Sequence, residues 1–200
     1  MNIAVFCSGN GTNLQAIIGS WKKGHIKADI KLVVSDLPDC YALIRAKNAG
    51  IKTLVIERKN FKTKKDFEAE ILKVLKRDNI DLIVLAGYMR ILSGDFISAY
   101  ENKILNIHPA LLPSFKGAHG IRDAFEYGVK ITGVTVHFVT KDMDAGPIIL
   151  QSSVKATEDD TEETLAEAMH EEEHKVYPRA IQLFVDGKLK IEGRKVTILE

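Results

Sequence analysis

Ile3-Ala4-Val5-Phe6-Cys7-Ser8-Gly9-Asn10-Gly11-Thr12-Asn13-Leu14-Gln15 joins an apolar run to a glycine-rich break and then to a periodic, amphipathic pattern. The apolar run reads as a strand buried on both faces, and the residues after the glycines read as a helix over Asn13 to Lys23. A buried strand feeding a helix through a tight loop opens a βαβ unit. Outward along the chain the same alternation recurs. Ile30 to Ser35, Thr53 to Ile56, Leu82 to Ala86 and Ile104 to Ile107 likewise read as strands buried on both faces, separated by helical patterns over Tyr41 to Ala49, Thr63 to Arg77 and Asp95 to Tyr100. The expected fold is α/β and Rossmann-like, with a largely parallel central sheet and helices on both faces. Such sheets place ligands at the carboxyl ends of their strands.

From Gly133 the character changes. Val134-Thr135-Val136-His137-Phe138-Val139 alternates, and Ile148 to Val154 follows a turn at Asp144-Ala145-Gly146-Pro147, which predicts an antiparallel C-terminal extension of the sheet. A long helix over Thr161 to Val185 carries Leu165, Met169, Val176 and Ile181 on one side and stops at Asp186-Gly187. Leu189 to Ile198 predicts a small terminal strand pair. Repeats, low-complexity tracts and linkers are absent, so residues 1–200 are expected to form a single domain large enough to bury a core.

Of the 200 residues 46% are hydrophobic and 28% charged, and 28 Lys and Arg face 27 Asp and Glu. This balance argues against a surface built to neutralise nucleic-acid phosphates or anionic lipid, although a local site for a small anion remains open. Met1 to Cys7 has no basic region ahead of its apolar residues, so no signal peptide is expected. Membrane spans need about 18 consecutive apolar residues, and no such run occurs. Cys7 and Cys40 are too few and too far apart for a disulfide framework or a C-x-x-C site, and read as reduced thiols of a cytoplasmic protein.

The loop Ser8-Gly9-Asn10-Gly11-Thr12-Asn13 sits where free backbone N–H groups and the positive end of a helix dipole favour an anion such as phosphate. The dinucleotide fingerprint fails at its third glycine, where Leu14 stands, while Asp36 at the end of the second strand keeps that alternative open. Thr12 and Gln15 also fit a capping box, with the glycines merely turning the chain. Capping and phosphate binding can coexist, because a cap uses only part of the donor set.

Asn106 and His108, two apart on a strand, point to one side, and Pro109 ends regular pairing after them. An amide that never ionises beside an imidazole that donates and exchanges protons near neutrality suits a developing oxyanion. Asp144 could orient or charge that imidazole and help move a proton. A polar strand end with a solvated histidine is the plainer reading of the pair.

Context favours chemistry. Leu105-Asn106-Ile107-His108-Pro109-Ala110-Leu111-Leu112-Pro113, Val136-His137-Phe138-Val139 and Asp142-Met143-Asp144-Ala145-Gly146-Pro147-Ile148 stand beside Ser8 to Gln15, Ala86-Gly87-Tyr88-Met89-Arg90-Ile91-Leu92, Glu173-His174 and Tyr177-Pro178. Together these stretches resemble the folate-dependent formyltransferase family over essentially the whole chain. The resemblance implies a formyltransferase fold, Asn106, His108 and Asp144 as catalytic residues, and Gly11, Thr12 and Asn13 as the loop that holds a substrate phosphate. It implies a ribose contact at Glu173, with His170 one helical turn earlier. Met89, Arg90, Ile91 and Leu92 match the stretch that lines a folate pocket, and Val139 and Thr140 lead into the loop that closes over the pterin. Lys64, where some relatives have arginine, would meet the folate's carboxylate tail as a point charge.

The implied reaction moves a formyl group from 10-formyltetrahydrofolate to the amine of glycinamide ribonucleotide, in purine (IMP) synthesis. No metal, nucleic acid or membrane takes part, and a monomer or weak homodimer is expected. Relatives that formylate tRNA or deformylate the folate carry additional domains, for which this length leaves no room. Ser114 to Arg122 resembles a mobile loop beside the site, and Leu112-Pro113 is a candidate cis bond.

Two rivals remain on the residues. His170-Glu171-Glu172-Glu173-His174 spells H-x-x-E-H, which on a helix presents two histidines to zinc but needs a third ligand. A plain nucleotide-binding module would leave the polar strand end unexplained. His174 reads as a structural hydrogen bonder, and His25, His119 and His137 receive no role.

Overall fold

The computed structural model describes all 200 residues. In chain order the elements are β1 (Asn2–Cys7), α1 (Thr12–Lys22), β2 (Asp29–Ser35), α2 (Tyr41–Asn48), β3 (Lys52–Val55), a 3-10 turn (Arg58–Asn60), α3 (Lys64–Arg77), β4 (Leu82–Leu85), α4 (Gly94–Ala99) and β5 (Ile104–His108). Then follow α5 (Gly120–Tyr127), β6 (Ile131–Phe138), β7 (Ile148–Lys155), α6 (Glu162–Val185), β8 (Leu189–Glu192) and β9 (Lys195–Ile198). The architecture is mixed α/β. Seven strands form a mostly parallel sheet in the order β3-β2-β1-β4-β5-β6-β7 with helices on both faces, and β8 and β9 form a separate antiparallel pair. No helix is long and apolar enough to cross a membrane.

The chain divides into two compact units, Met1–Leu105 and Asn106–Glu200. In the first, β1 pairs in parallel with β2 on one side and β4 on the other, so the strand order reverses at β1. Ligand-binding loops of open parallel sheets gather at the carboxyl ends beside such a reversal. Ile3 to Cys7 are all fully buried, which is why this strand is apolar at every position. α1 buries Leu14, Ile17 and Ile18, and α3 buries Phe67, Ile71, Val74 and Leu75, each at helical spacing. Thr63 caps α3 by accepting from Asp66 N, and Ser93 caps α4 by accepting from Phe96 N.

In the second unit β6 and β7 are antiparallel, and Val134, Val154, Leu165 and Met169 form one cluster under α6. Thr161 and Thr164 close a reciprocal cap at the start of that helix.

Two expectations need correction. The Thr12–Gln15 capping box does not form: Gly11, in the left-handed region at φ 78°, is the cap residue, Thr12 is already helical, and no side chain caps α1. The Gln15 carboxamide oxygen instead accepts from Arg45. The second correction is α5, whose first residues fall in a stretch expected to be loop. Gly117 and Gly120 signal a break there, and the helix has only eight residues, Gly120 included, before Gly128 ends it, too few to show a clear period.

Candidate active site

At the reversal point of the first unit, one buried carboxylate organises two loops. Ser8 N donates to Gly87 O at 2.9 Å, tying the end of β1 to the residues after β4. The Ser8 hydroxyl donates to Asp36 Oδ1 at 2.6 Å and accepts from Met89 N at 3.0 Å. Arg90 Nε donates to Asp36 Oδ2 at 2.6 Å, a short charge-assisted bond. Both oxygens of Asp36 are thereby engaged and its side chain is 3% exposed, so it does not stand open to the ribose hydroxyl of a dinucleotide. Three consecutive residues, Met89, Arg90 and Ile91, are exposed. Met89 and Ile91 are 77% and 69% exposed, whereas Leu92 is in the core. Leu92 therefore offers a ligand only its backbone. Lys64 Nζ lies 3.8 Å from the buried Glu68 carboxylate, which also accepts from Ser93 N at 2.8 Å.

In the second unit Asn106 and His108 project from the end of β5 as expected, Asn106 half-buried and the His108 side chain 5% exposed. His108 Nδ1 lies 3.6 Å from Asp144 Oδ2. Its Nε2 is 2.8 Å from the Phe115 carbonyl, which can only accept. An imidazolium, a donor at both nitrogens, would meet an acceptor on either side. Asp144 sits at φ 49°, and its Oδ2 also accepts from Gly117 N at 2.9 Å, so the 114–117 loop and the aspartate turn are joined.

His137, given no role from sequence, belongs to this cluster. Its Nε2 is 3.3 Å from Asn106 Nδ2 and 3.7 Å from Asp144 Oδ1, and its Nδ1 is 2.9 Å from the Phe138 carbonyl. Burial holds its pKa below the usual histidine value, against the Phe138 carbonyl and Asp144, which act to raise it. The available signal was Thr135 and His137 as the polar pair on one face of an apolar strand. Thr135 shares that face: its hydroxyl donates to Ala110 O at 2.7 Å and accepts from Leu112 N at 3.1 Å. This pins the turn at the cis Leu112-Pro113 bond.

Val139 and Thr140 follow β6, with the Thr140 hydroxyl donating to Asp142 O at 3.2 Å. On α6, His170 Nδ1 donates to the buried Glu173 carboxylate at 2.9 Å, and that bond raises the His170 pKa. No group of three or more His, Cys, Asp or Glu side chains is arranged to hold a metal ion, so the H-x-x-E-H helix lacks the third ligand that a zinc site needs. Cys7 and Cys40 are buried free thiols, and burial raises the Cys7 pKa.

Comparison with known proteins agrees with the sequence resemblance. The chain is 42% identical to a phosphoribosylglycinamide formyltransferase of Escherichia coli over 96% of its own length and 90% of that protein. It is 46% identical to the trifunctional purine biosynthetic protein adenosine-3 of Homo sapiens over 94% of this chain, and spans only 19% of that longer protein. The crystal structure of glycinamide ribonucleotide transformylase 1 from Symbiobacterium toebii, 46% identical, superposes with a TM-score of 0.98, covering 100% of this chain and 94% of that one. The formyl transferase family model matches residues 1–181, and the chain belongs to that family.

Proposed function

We propose that this chain transfers the formyl group of 10-formyltetrahydrofolate to the amine of N1-(5-phospho-D-ribosyl)glycinamide, giving the N-formyl product and tetrahydrofolate in de novo purine (IMP) synthesis. The observation that carries the reading is the convergence of Asn106, His108 and Asp144 on one another through His137 and the 114–117 loop. A neutral amide donor, an imidazole and a carboxylate within a few ångströms are the parts needed to hold an oxyanion and move a proton.

The amine nitrogen bonds to the formyl carbon as the carbonyl opens to an oxyanion. Asn106 has two amide hydrogens; one faces His137 and the other is free to donate to that oxygen. His108, charged and steadied by Asp144, supplies the second donor. Its Nε2 is engaged by the Phe115 carbonyl here, so Phe115 must move off before His108 reaches a substrate oxygen. Asp144, directly or through water, takes the proton the amine loses. Collapse re-forms the carbonyl and breaks the bond to the folate nitrogen, which leaves with a proton. Orientation of the two substrates supplies much of the rate.

Binding roles follow the same reading. In the first unit Gly11, Thr12 and Asn13 take the phosphate, Met89 to Leu92 line the folate, and Lys64 meets its carboxylate tail. The exposed Met89 and Ile91 provide apolar surface that a flat ring would cover. In the second unit Glu173 and His170 hold the ribose, and Val139 and Thr140 lead into the loop over the pterin. Residues 1–200 act as a single formyltransferase domain, a monomer or weak homodimer in the cytoplasm, without metal, nucleic acid or membrane. The family match, running through both units, supports this.

The test is an assay of chelator-treated protein with 10-formyltetrahydrofolate and glycinamide ribonucleotide, following donor loss against a control without acceptor. Acceptor-dependent loss is expected. Loss without acceptor would make the chain a deformylase, and no loss would end the enzymatic reading.

A further inference from the structure

The Gly9 to Asn13 loop is braced by α2 as well as by its own strand and helix. Ala42 N donates to Gly9 O at 3.2 Å, and a Cβ on Gly11 would stand 2.7 Å from Ala42 Cβ, so loop and helix touch at the closest approach a glycine allows. Arg45, one helical turn further along α2, reaches the same loop. Its Nε donates to Asn10 O at 2.9 Å, its Nη2 to Asn10 Oδ1 at 2.8 Å and its Nη1 to Gln15 Oε1 at 3.3 Å. The guanidinium also lies 4.8 Å from the centroid of the Tyr41 ring. All three nitrogens of one side chain therefore donate to the loop or to the first turn of α1.

The consequence follows from peptide geometry. In a trans peptide the C=O of one residue and the N–H of the next point in opposite directions. By gripping Asn10 O, Arg45 fixes the plane of the Asn10–Gly11 peptide and turns the Gly11 N–H away from itself. It also keeps the Asn10 carbonyl, a repulsive group for any anion, turned from the donor side of the loop. We infer that Arg45 is a positioning residue for the phosphate loop: it sets the direction of the Gly11 N–H, and through it the affinity of the loop for a phosphate group. The inference rests on the proposed phosphate role of Gly11 to Asn13 and adds to it the residue that pre-orders them.

Arg45→Lys separates position from charge, since lysine keeps the cation and loses the planar fork. The buried side of α2 is Ala42, Leu43 and Ala46, so the substitution leaves its packing intact. Three quantities are read: amide exchange of Gly11, Thr12 and Asn13 by NMR, the Kd of inorganic phosphate, and the KM of glycinamide ribonucleotide. With Arg45→Lys, Gly11 exchange is expected to quicken, and the phosphate Kd and ribonucleotide KM to rise about tenfold, the scale of a lost charge-assisted bond. The KM of the formyl donor is expected to stay within about twofold, as it would not if the whole fold had loosened. Asn10→Ala removes only the Oδ1 contact and keeps the carbonyl that Arg45 grips, so phosphate affinity should fall less in that variant than in Arg45→Lys. Wild-type exchange and phosphate affinity in Arg45→Lys, or a loss of phosphate affinity in Asn10→Ala as large as that in Arg45→Lys, would overturn the inference. If the wild-type protein binds phosphate but does not formylate the ribonucleotide, the enzymatic reading fails while exchange and phosphate affinity still decide the role of Arg45. If it binds no phosphate, both fall.

Discussion

His137 Nε2 lies 3.3 Å from the Asn106 amide nitrogen, and His137 Nδ1 lies 2.9 Å from a carbonyl that can only accept. The neutral ring therefore carries its proton on Nδ1 and accepts at Nε2. Burial favours that neutral form. Asn106 is thus held with its NH2 group, not its oxygen, fixed by the ring, leaving one hydrogen for a ligand. Replacing His137 by phenylalanine keeps a planar ring and removes the acceptor. We expect kcat to fall about tenfold, the scale of one hydrogen bond that orients a catalytic group. Steady-state kinetics of His137→Phe check this, and an unchanged kcat would show that Asn106 needs no such support.

Asp144 occupies the left-handed region at φ 49°, which asparagine tolerates well. Asparagine's oxygen can still accept from Gly117 N, so Asp144→Asn should preserve the turn while removing the charge beside His108 and His137. The expected result is a fall in kcat of about a hundredfold or more, the range of general acid–base catalysis, with the KM for the ribonucleotide little changed. Equal losses in rate and affinity would argue for a binding role instead.

The turn that carries Asp144 depends on Gly146. A Cβ there would stand 1.7 Å from Phe138 O and 2.8 Å from Phe138 C, which is backbone and cannot swing aside. Gly146→Ala should therefore cost about 3 kcal/mol of stability, at the upper end for overpacking. A shift in the urea midpoint measures it, and a midpoint like that of the wild type would mean the turn yields freely.

Stability should also titrate through His170. Its bond to Glu173 raises its folded pKa, so the folded state holds the proton more tightly than the unfolded chain does. That contribution is fully present below about pH 6.5, the unfolded value, and is lost as pH rises through the raised folded value. The stability gap between wild type and His170→Gln should narrow as pH rises through that window. A gap that widens would reverse the assignment.

The parallel strands were legible because each carries a short apolar or β-branched run, and β1 to β5 fall within a residue or so of their expected bounds, although β3, at the edge of the sheet, is exposed or half-buried and not buried on both faces. Asn106 and His108 were legible because two-residue spacing on a strand determines a shared side. His137 was not, since a histidine in an apolar strand is equally consistent with a plain core position, and its partners come from β5 and the aspartate turn. The Phe115 carbonyl on His108 was invisible for a related reason: every residue has a carbonyl, and only the folded loop shows where one points. Arg45 lies thirty-five positions from Asn10, and nothing in α2 taken alone marks it as the residue that reaches the glycine loop.

The central claim is that Asn106 stabilises the oxyanion of formyl transfer, and Asn106→Ala, assayed with 10-formyltetrahydrofolate and glycinamide ribonucleotide, tests it most directly. Turnover should fall about a hundredfold or more, the usual consequence of losing one oxyanion donor, in a protein that still folds and binds phosphate. Turnover near that of the wild-type chain would contradict it.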